Sequence, residues 1–258
     1  MNVFCFDFDG VICDSAPETA VTAWLGCREL WPQPGGAASA TLPAHQQERF
    51  CRLRPVMHTG FEAIPLMRLI ETGEADDEAL FADFPALRDR VMAREGLARE
   101  RLQQIFGSIR DRLIAEDEAA WLRWNRFYPG VGPLLTPAIA RAPLYVVTTK
   151  QERFAALLLR HEGIALPPGR IFGLEAGRSK PEILEALLGR PEHAGATFHF
   201  IEDRADTLHD VIAREALRAV RLYLVDWGYN TPAQRREAAA TGRIRVVSLR
   251  EFAAVLGG

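Results

Sequence analysis

The feature that most constrains the fold is a long interval between apolar runs. Val3–Phe6 opens the chain, and four comparable runs follow only much later: Leu144–Thr148, Phe198–Ile201, Leu222–Val225 and Ile244–Val247. Each is too short for a helix, and most are rich in β-branched or aromatic residues. Strands buried on both faces read in this way, as continuous apolar runs without alternation. Arg170–Leu174 is a weaker sixth run. Helical spacing at Arg153–His161 and Pro181–Leu188 separates the later runs, and Pro181 suits a first helical position. Strand and helix in alternation predict an α/β architecture, a parallel sheet covered on both faces.

The interval from residue 16 to residue 127 carries no strand run. Val21–Leu30, Gly60–Ile70, Leu87–Glu95 and Leu102–Trp124 have helical spacing, with loops at Pro32–Pro43 and Glu71–Asp77. Pro129, Gly130 and Pro133 mark the return to the sheet. We therefore expect a core domain from residues 1–15 and 128–258, interrupted by an all-helical domain at 16–127. A chain of 258 residues with 48% hydrophobic and 25% charged content can bury both, which excludes a largely disordered chain.

A formal charge of −3 gives no basic field, so no nucleic-acid partner is expected. No apolar stretch reaches about 18 residues, and the N-terminus lacks a basic start and a small-residue cleavage site; a cytoplasmic protein without a membrane span is expected. The four cysteines, Cys5, Cys13, Cys27 and Cys51, form no metal-binding spacing and are expected to be reduced and packed. Cys13, close to two acids, is the candidate for redox sensitivity. Trp121 and Trp124 are expected in a core. His161, His193, His199 and His209 have no metal-ligand spacing and are expected to be structural or solvated.

The chemistry gathers at the ends of the predicted strands. In Val3–Val11 a strand ends in Asp7 and Asp9, one residue apart, followed by Gly10. Two acids at that spacing on a strand point the same way and repel, and a divalent cation with oxygen ligands relieves the repulsion. Solvated acids in a turn are the plainer alternative. The strand at Val146–Val147 ends in Thr148, Thr149 and Lys150. Ser179, Lys180 and Pro181 precede a helix, and Phe198–Ile201 ends in Glu202 and Asp203. Ligands of open α/β sheets bind at the carboxyl ends of the strands. Acids, a hydroxyl and a lysine on one such edge suit phosphoryl transfer: carboxylates hold Mg²⁺, one carboxylate attacks, and hydroxyl and ammonium groups neutralise the developing charge.

With these tracts in order, the sequence resembles the haloacid dehalogenase superfamily of phosphohydrolases. The resemblance covers the sheet domain, which it implies to be Rossmann-like, and the insert is similar in position and size to that superfamily's helical (C1-type) cap. Phe200–Leu208 and Asp226–Thr231 further resemble a bacterial and plant branch of it. The resemblance implies that Asp7 is the nucleophile and forms an aspartyl-phosphate. It implies that Asp9 protonates the leaving oxygen, then activates water, and offers its backbone carbonyl to Mg²⁺. Thr148 would hydrogen-bond the phosphoryl group, Lys180 would pair with Asp7 and the phosphate, and Asp203 would complete the metal site. The last motif departs from the commonest pattern, because Glu202 stands where glycine is usual and Asp206 lies only three residues past Asp203. A variant with two adjacent acids exists, so Glu202 is favoured over Asp206 as a direct or water-mediated ligand, and Asp206 is left to cap the following helix.

The implied activity is hydrolysis of a small phosphorylated metabolite. Gly10 allows a tight turn and the approach of backbone N–H groups to phosphate. Thr149 and Lys150 either touch substrate or form a solvated helix start. In the insert, Arg49, Arg52, Arg54, His58 and Glu62 are the polar candidates, with Arg54 and Glu62 favoured for substrate contact. Of 31 basic residues only Lys150 and Lys180 are lysine. A phosphomutase of the β-phosphoglucomutase type and phosphonoacetaldehyde hydrolase both use a cap lysine, which this insert lacks; a dehalogenase has no need of Asp9. A non-catalytic binding protein on the same fold is the remaining alternative.

Overall fold

The computed structural model describes residues 1–32 and 41–257. The chain divides into two compact units, one of Met1–Asp14 with Arg126–Gly258 and one of Ser15–Asn125.

The first unit is built on strands β1 (Asn2–Phe6), β2 (Cys13–Asp14), β3 (Arg126–Phe127), β4 (Leu144–Val147), β5 (Ile171–Phe172), β6 (Thr197–Glu202), β7 (Arg221–Val225) and β8 (Ile244–Val247). Six of them form one sheet in the order β5-β4-β1-β6-β7-β8, and every pairing is parallel. The sheet winds outward from β1 in both directions, so the strand order reverses between β1 and β6. That reversal leaves a crevice beyond the carboxyl ends of the strands, where such sheets bind ligands. The five strong apolar runs are all strands, and the weak run at Arg170–Leu174 contributes only Ile171–Phe172. One face buries Val3, Cys5, Tyr145, Val147, Phe198, Phe200, Leu222 and Leu224 against helices Lys180–Leu188 and Ala205–Ile212. Alternate residues of the same strands face the other way, so both faces need apolar side chains and the runs are continuous.

The remaining two strands, β2 and β3, pair antiparallel, Cys13 with Phe127 and Asp14 with Arg126. They hold together the two points where the chain leaves the sheet and returns to it. Two-residue strands have no readable period, and neither was expected. Helix Val131–Arg141 was not expected either; Pro133 falls in its first turn, where a missing N–H costs nothing.

The second unit is helical throughout its described residues, with helices Ala16–Leu30, Ala44–Leu53, Ala63–Thr72, Asp77–Glu95 and Arg99–Arg123. Positions 33–40 of the loop expected at Pro32–Pro43 lie outside the described residues. Helix Ala44–Leu53 is a correction: its sequence is polar and buries only Phe50 and Leu53, too thin a stripe to read. The expected helix Leu102–Trp124 breaks at Asp117, whose carboxylate recaps the next segment by accepting from the Ala120 N–H at 2.8 Å. Trp24, Phe50, Phe61, Met67, Phe84 and Phe106 fill the core of this unit. Trp121 is fully buried, as expected, whereas Trp124 is half-buried. The four cysteines form no disulfide; Cys5, Cys13 and Cys27 are buried and Cys51 is half-buried. No described helix is long and apolar enough to cross a membrane.

Candidate active site

Three strand ends of the first unit deliver the expected side chains. Asp7 follows β1, and its backbone N–H still bonds to Ile201 O of β6 at 2.9 Å, so it continues the parallel register. It therefore lies beside Glu202, the last residue of β6. Asp7, Glu202 and Asp203 are buried, and each offers a carboxylate oxygen within 4.8 Å of the others.

Lys180 reaches this group from the first turn of its helix. Ser179 and Glu182 form a capping box there: the Glu182 N–H donates to Ser179 Oγ at 3.4 Å, and the Ser179 N–H donates to Glu182 Oε2 at 2.7 Å. The helix start is thereby set, and Lys180 Nζ stands 2.9 Å from Asp7 Oδ2 and 2.7 Å from Glu202 Oε2. Burial pulls the Lys180 ammonium toward neutrality, but the Asp7 and Glu202 carboxylates outweigh it and raise its pKa above the usual lysine range. Burial, with help from Asp7, pushes the Glu202 carboxyl well up, while Lys180 opposes the shift. Glu202 Oε1 also accepts from the N–H groups of Asp203 and Arg204, at 3.2 and 3.1 Å.

Asp203 is clamped by the loop at Asp226–Thr231, a tract marked in the sequence only by its resemblance to one branch of the superfamily. The Tyr229 N–H donates to Asp203 Oδ2 at 2.7 Å, and Asn230 Nδ2 donates to Asp203 O at 2.8 Å. Gly10, at φ +88°, and Gly228 make the fit possible. A Cβ on Gly10 would come within 2.1 Å of Asp203 Oδ2, and one on Gly228 within 2.3 Å of Asp203 Cβ. The signal was present as Gly228 between aromatics just past a strand, but its partner is 25 residues upstream. Tyr229 Oη also donates to Asp14 Oδ1 at 2.9 Å, tying the same loop to β2.

Asp9 is half-buried, and its Oδ1 lies 3.0 Å from Lys150 Nζ. Thr148, at the end of β4, is buried; its Oγ1 accepts from the Lys150 N–H at 3.1 Å, which leaves the hydroxyl proton to donate elsewhere. Thr149 is exposed. The Gly10 N–H donates to Cys13 O at 2.9 Å, within its own turn. Asp206 lies in the first turn of helix Ala205–Ile212, where it pairs with Arg204 at 3.1 Å and stays outside the converging acids. The expected cap is a correction: this helix has no side-chain cap, because Asp206 is already inside it, past the capping position.

Arg54 is buried and donates from Nη1 to Met57 O at 3.2 Å. Glu62 is buried; its Oε2 accepts from the His58 and Thr59 N–H groups at 2.6 and 2.7 Å, and its Oε1 pairs with Arg88. Arg49 donates to Asp77 and to Ala75 O, each at 2.7 Å, and Arg52 lies 3.4 Å from Asp77. His58 is exposed.

The donor set suits a hard divalent cation. It is all oxygen and carries three acids at close range, and a single ammonium offsets only part of their charge.

No family model matches the sequence, and no curated protein matches it. Solved structures do match over nearly the whole length. A "haloacid dehalogenase-like family" hydrolase from Streptococcus pneumoniae superposes with a TM-score of 0.58 at 16% identity, covering 99% of this chain and 97% of that one. A "predicted phosphatase" from Clostridium acetobutylicum and a "predicted phosphoglycolate phosphatase" from Haemophilus somnus give the same four values. The chain has the haloacid dehalogenase-like fold.

Proposed function

We propose that the protein is a divalent-cation-dependent phosphohydrolase that cleaves a small phosphomonoester through an aspartyl-phosphate on Asp7. The observation that carries this reading is the convergence of Asp7, Glu202, Asp203 and Lys180 at the carboxyl ends of β1 and β6. In such an enzyme the Asp7 carboxylate forms a bond to phosphorus as the ester P–O bond breaks. Asp9 gives its proton to the departing oxygen, and the alcohol leaves. Asp9, now a carboxylate, takes a proton from water, whose oxygen attacks phosphorus and releases Asp7 with phosphate. The Thr148 hydroxyl and the Lys180 ammonium stabilise the phosphoryl oxygens, and Lys180 also pairs with Asp7.

Asp7, Asp203 and the Asp9 backbone carbonyl would hold a cation such as Mg²⁺, with Glu202 as a direct or water-mediated ligand. Bound there, it supplies charge neutralisation and alignment for the phosphoryl group. Residues Ser15–Asn125 serve as the cap that selects the leaving group, with Arg54, Thr149 and Gly10 as substrate-facing candidates and Glu62, whose two oxygens are already engaged, as their support. The phosphoglycolate phosphatase named among similar folds fits a small phosphorylated acid or sugar as substrate. The absence of lysine from the helical unit weighs against a mutase. Undisulfided cysteines fit a cytoplasmic enzyme.

The test is phosphate release from a panel of phosphorylated sugars, nucleotides and small acids with Mg²⁺. We expect release that EDTA abolishes and that Asp7→Asn reduces to background. Turnover by folded Asp7→Asn protein would sink the mechanism, and no release from any substrate would favour a binding protein.

A further inference from the structure

The second lysine of the chain is not solvated. The Lys150 side chain is 0% exposed, and its backbone is pinned on both sides. Its N–H donates to Thr148 Oγ1 at 3.1 Å and its carbonyl accepts from the Leu174 N–H at 3.0 Å. Gly173 packs so closely that a Cβ there would come within 2.7 Å of Lys150 O. Nζ lies over the Phe8 ring, 5.8 Å from its centroid, and 3.0 Å from Asp9 Oδ1. The backbone that carries this carboxyl group is anchored in turn: Asp9 forms a β-bridge with Cys13, and the Gly10 N–H donates to Cys13 O at 2.9 Å.

Burying an ammonium group is costly, and an apolar side chain of the same shape usually serves stability as well or better. The side chain of Asp9 is 17% exposed, so water could solvate it without help. A buried cation aimed at one oxygen of a half-exposed carboxyl group therefore controls where that group points. Transfer of a proton depends steeply on that geometry.

We propose that Lys150 is a positioning residue: it fixes the carboxyl group of Asp9 against the leaving oxygen and so adapts the enzyme to phosphomonoesters with poor leaving groups. The inference rests on the phosphohydrolase reading. A leaving group that departs as a stable anion needs no proton, so the effect of Lys150 depends on the ester. A residue that only supported the fold would affect every ester alike.

The experiment compares kcat/KM, which reports the steps up to departure of the leaving group, for p-nitrophenyl phosphate and phenyl phosphate. We expect Lys150→Met to lower the value for phenyl phosphate about 10²-fold and for p-nitrophenyl phosphate less than about fivefold. In Asp9→Asn protein, adding Lys150→Met changes nothing further, because the two act through one group. Equal losses on both esters, or losses that add in the double variant, overturn the proposal. If Lys150→Met does not fold, Lys150→Gln, whose polar end is one bond shorter and stops short of Asp9, takes its place in the same cycle with the same outcomes. A wild-type protein inactive on both esters would defeat the phosphohydrolase reading itself and take this inference with it, a result distinct from uniform losses in active protein.

Discussion

Each unit buries a cation against carboxylate, and the two sites are built in opposite ways. In the helical unit Glu18 is fully buried and accepts from Arg110 Nε at 2.9 Å and Nη2 at 2.5 Å, from Thr22 Oγ1 at 2.6 Å and from Trp121 Nε1 at 3.1 Å. The planar fork of arginine engages both oxygens, and the hydroxyl and the indole take more of the remaining capacity. In the sheet unit one compact ammonium, Lys180, is shared between Asp7 and Glu202. A point charge attracts two acids without occupying both oxygens of either. The first arrangement locks a carboxylate into the fold; the second leaves carboxylate oxygens open to a further partner. A chain that uses arginine almost everywhere has lysine at the two places where acids must stay accessible.

Breaking the closed site should cost most. Arg110→Met leaves Glu18 buried without its cation and should lower the unfolding free energy by about 3–5 kcal/mol in urea titration. Adding Glu18→Leu should recover part of that loss, because the buried charge is gone while Thr22 Oγ1 and Trp121 Nε1 lose their acceptor. A single-variant loss below about 1 kcal/mol would mean that Glu18 is not locked as described.

The open site is tested by exchanging its cation. Lys180→Arg puts a wide fork into a gap sized for one nitrogen, and phosphate release should slow about 10²–10³-fold. Full activity in this variant would erase the contrast between the two sites.

His199 sharpens the comparison from within β6, the strand that ends in Glu202. It stacks on Tyr223 and packs against Phe4, with Nδ1 3.1 Å from Tyr223 Oη. Burial, helped by Arg221, pushes its imidazole down to about 4. The unfolded chain takes up this proton near pH 6.5 and the folded chain only near 4, so the histidine favours folding fully above about 6.5. As pH falls through that window, stability should drop by on the order of 1–3 kcal/mol, at about 1.4 kcal/mol per pH unit. His199→Phe should flatten that part of the stability–pH curve. An unchanged slope would assign the acid sensitivity to other groups.

What could be read in advance follows from how each element is stabilised. Buried parallel strands are apolar on both faces, so Val3–Phe6 and Ile244–Val247 are visible as runs. Helix Ala44–Leu53 forms by packing two side chains and is nearly invisible. Asp7, Asp9, Thr148 and Asp203 stand out because polar residues directly after an apolar strand have few structural uses. Lys150 stood out only as one of two lysines among 31 basic residues. Its neighbours Thr148 and Thr149 suggested a loop, and nothing local distinguishes a solvated lysine from a buried one. Glu62 shows the same gap from the other side. As a sequence it is a lone acid at the start of an apolar stretch; in the fold it accepts from two backbone N–H groups and pairs with Arg88.

The sequence by itself determined the strands of the sheet, the helical character of the interval between them and the acids at the strand ends, because each depends on residue type and short-range spacing. Only the tertiary structure decided which charges meet. Lys180 shares Asp7 with Glu202, Lys150 turns inward to Asp9, and Tyr229 and Asn230 close on Asp203. These pairs span 22 to 173 residues along the chain and are set by strand order and by two glycines with no room for a Cβ. Electrostatic energy depends on distance and burial, and neither quantity exists until the sheet has been assembled.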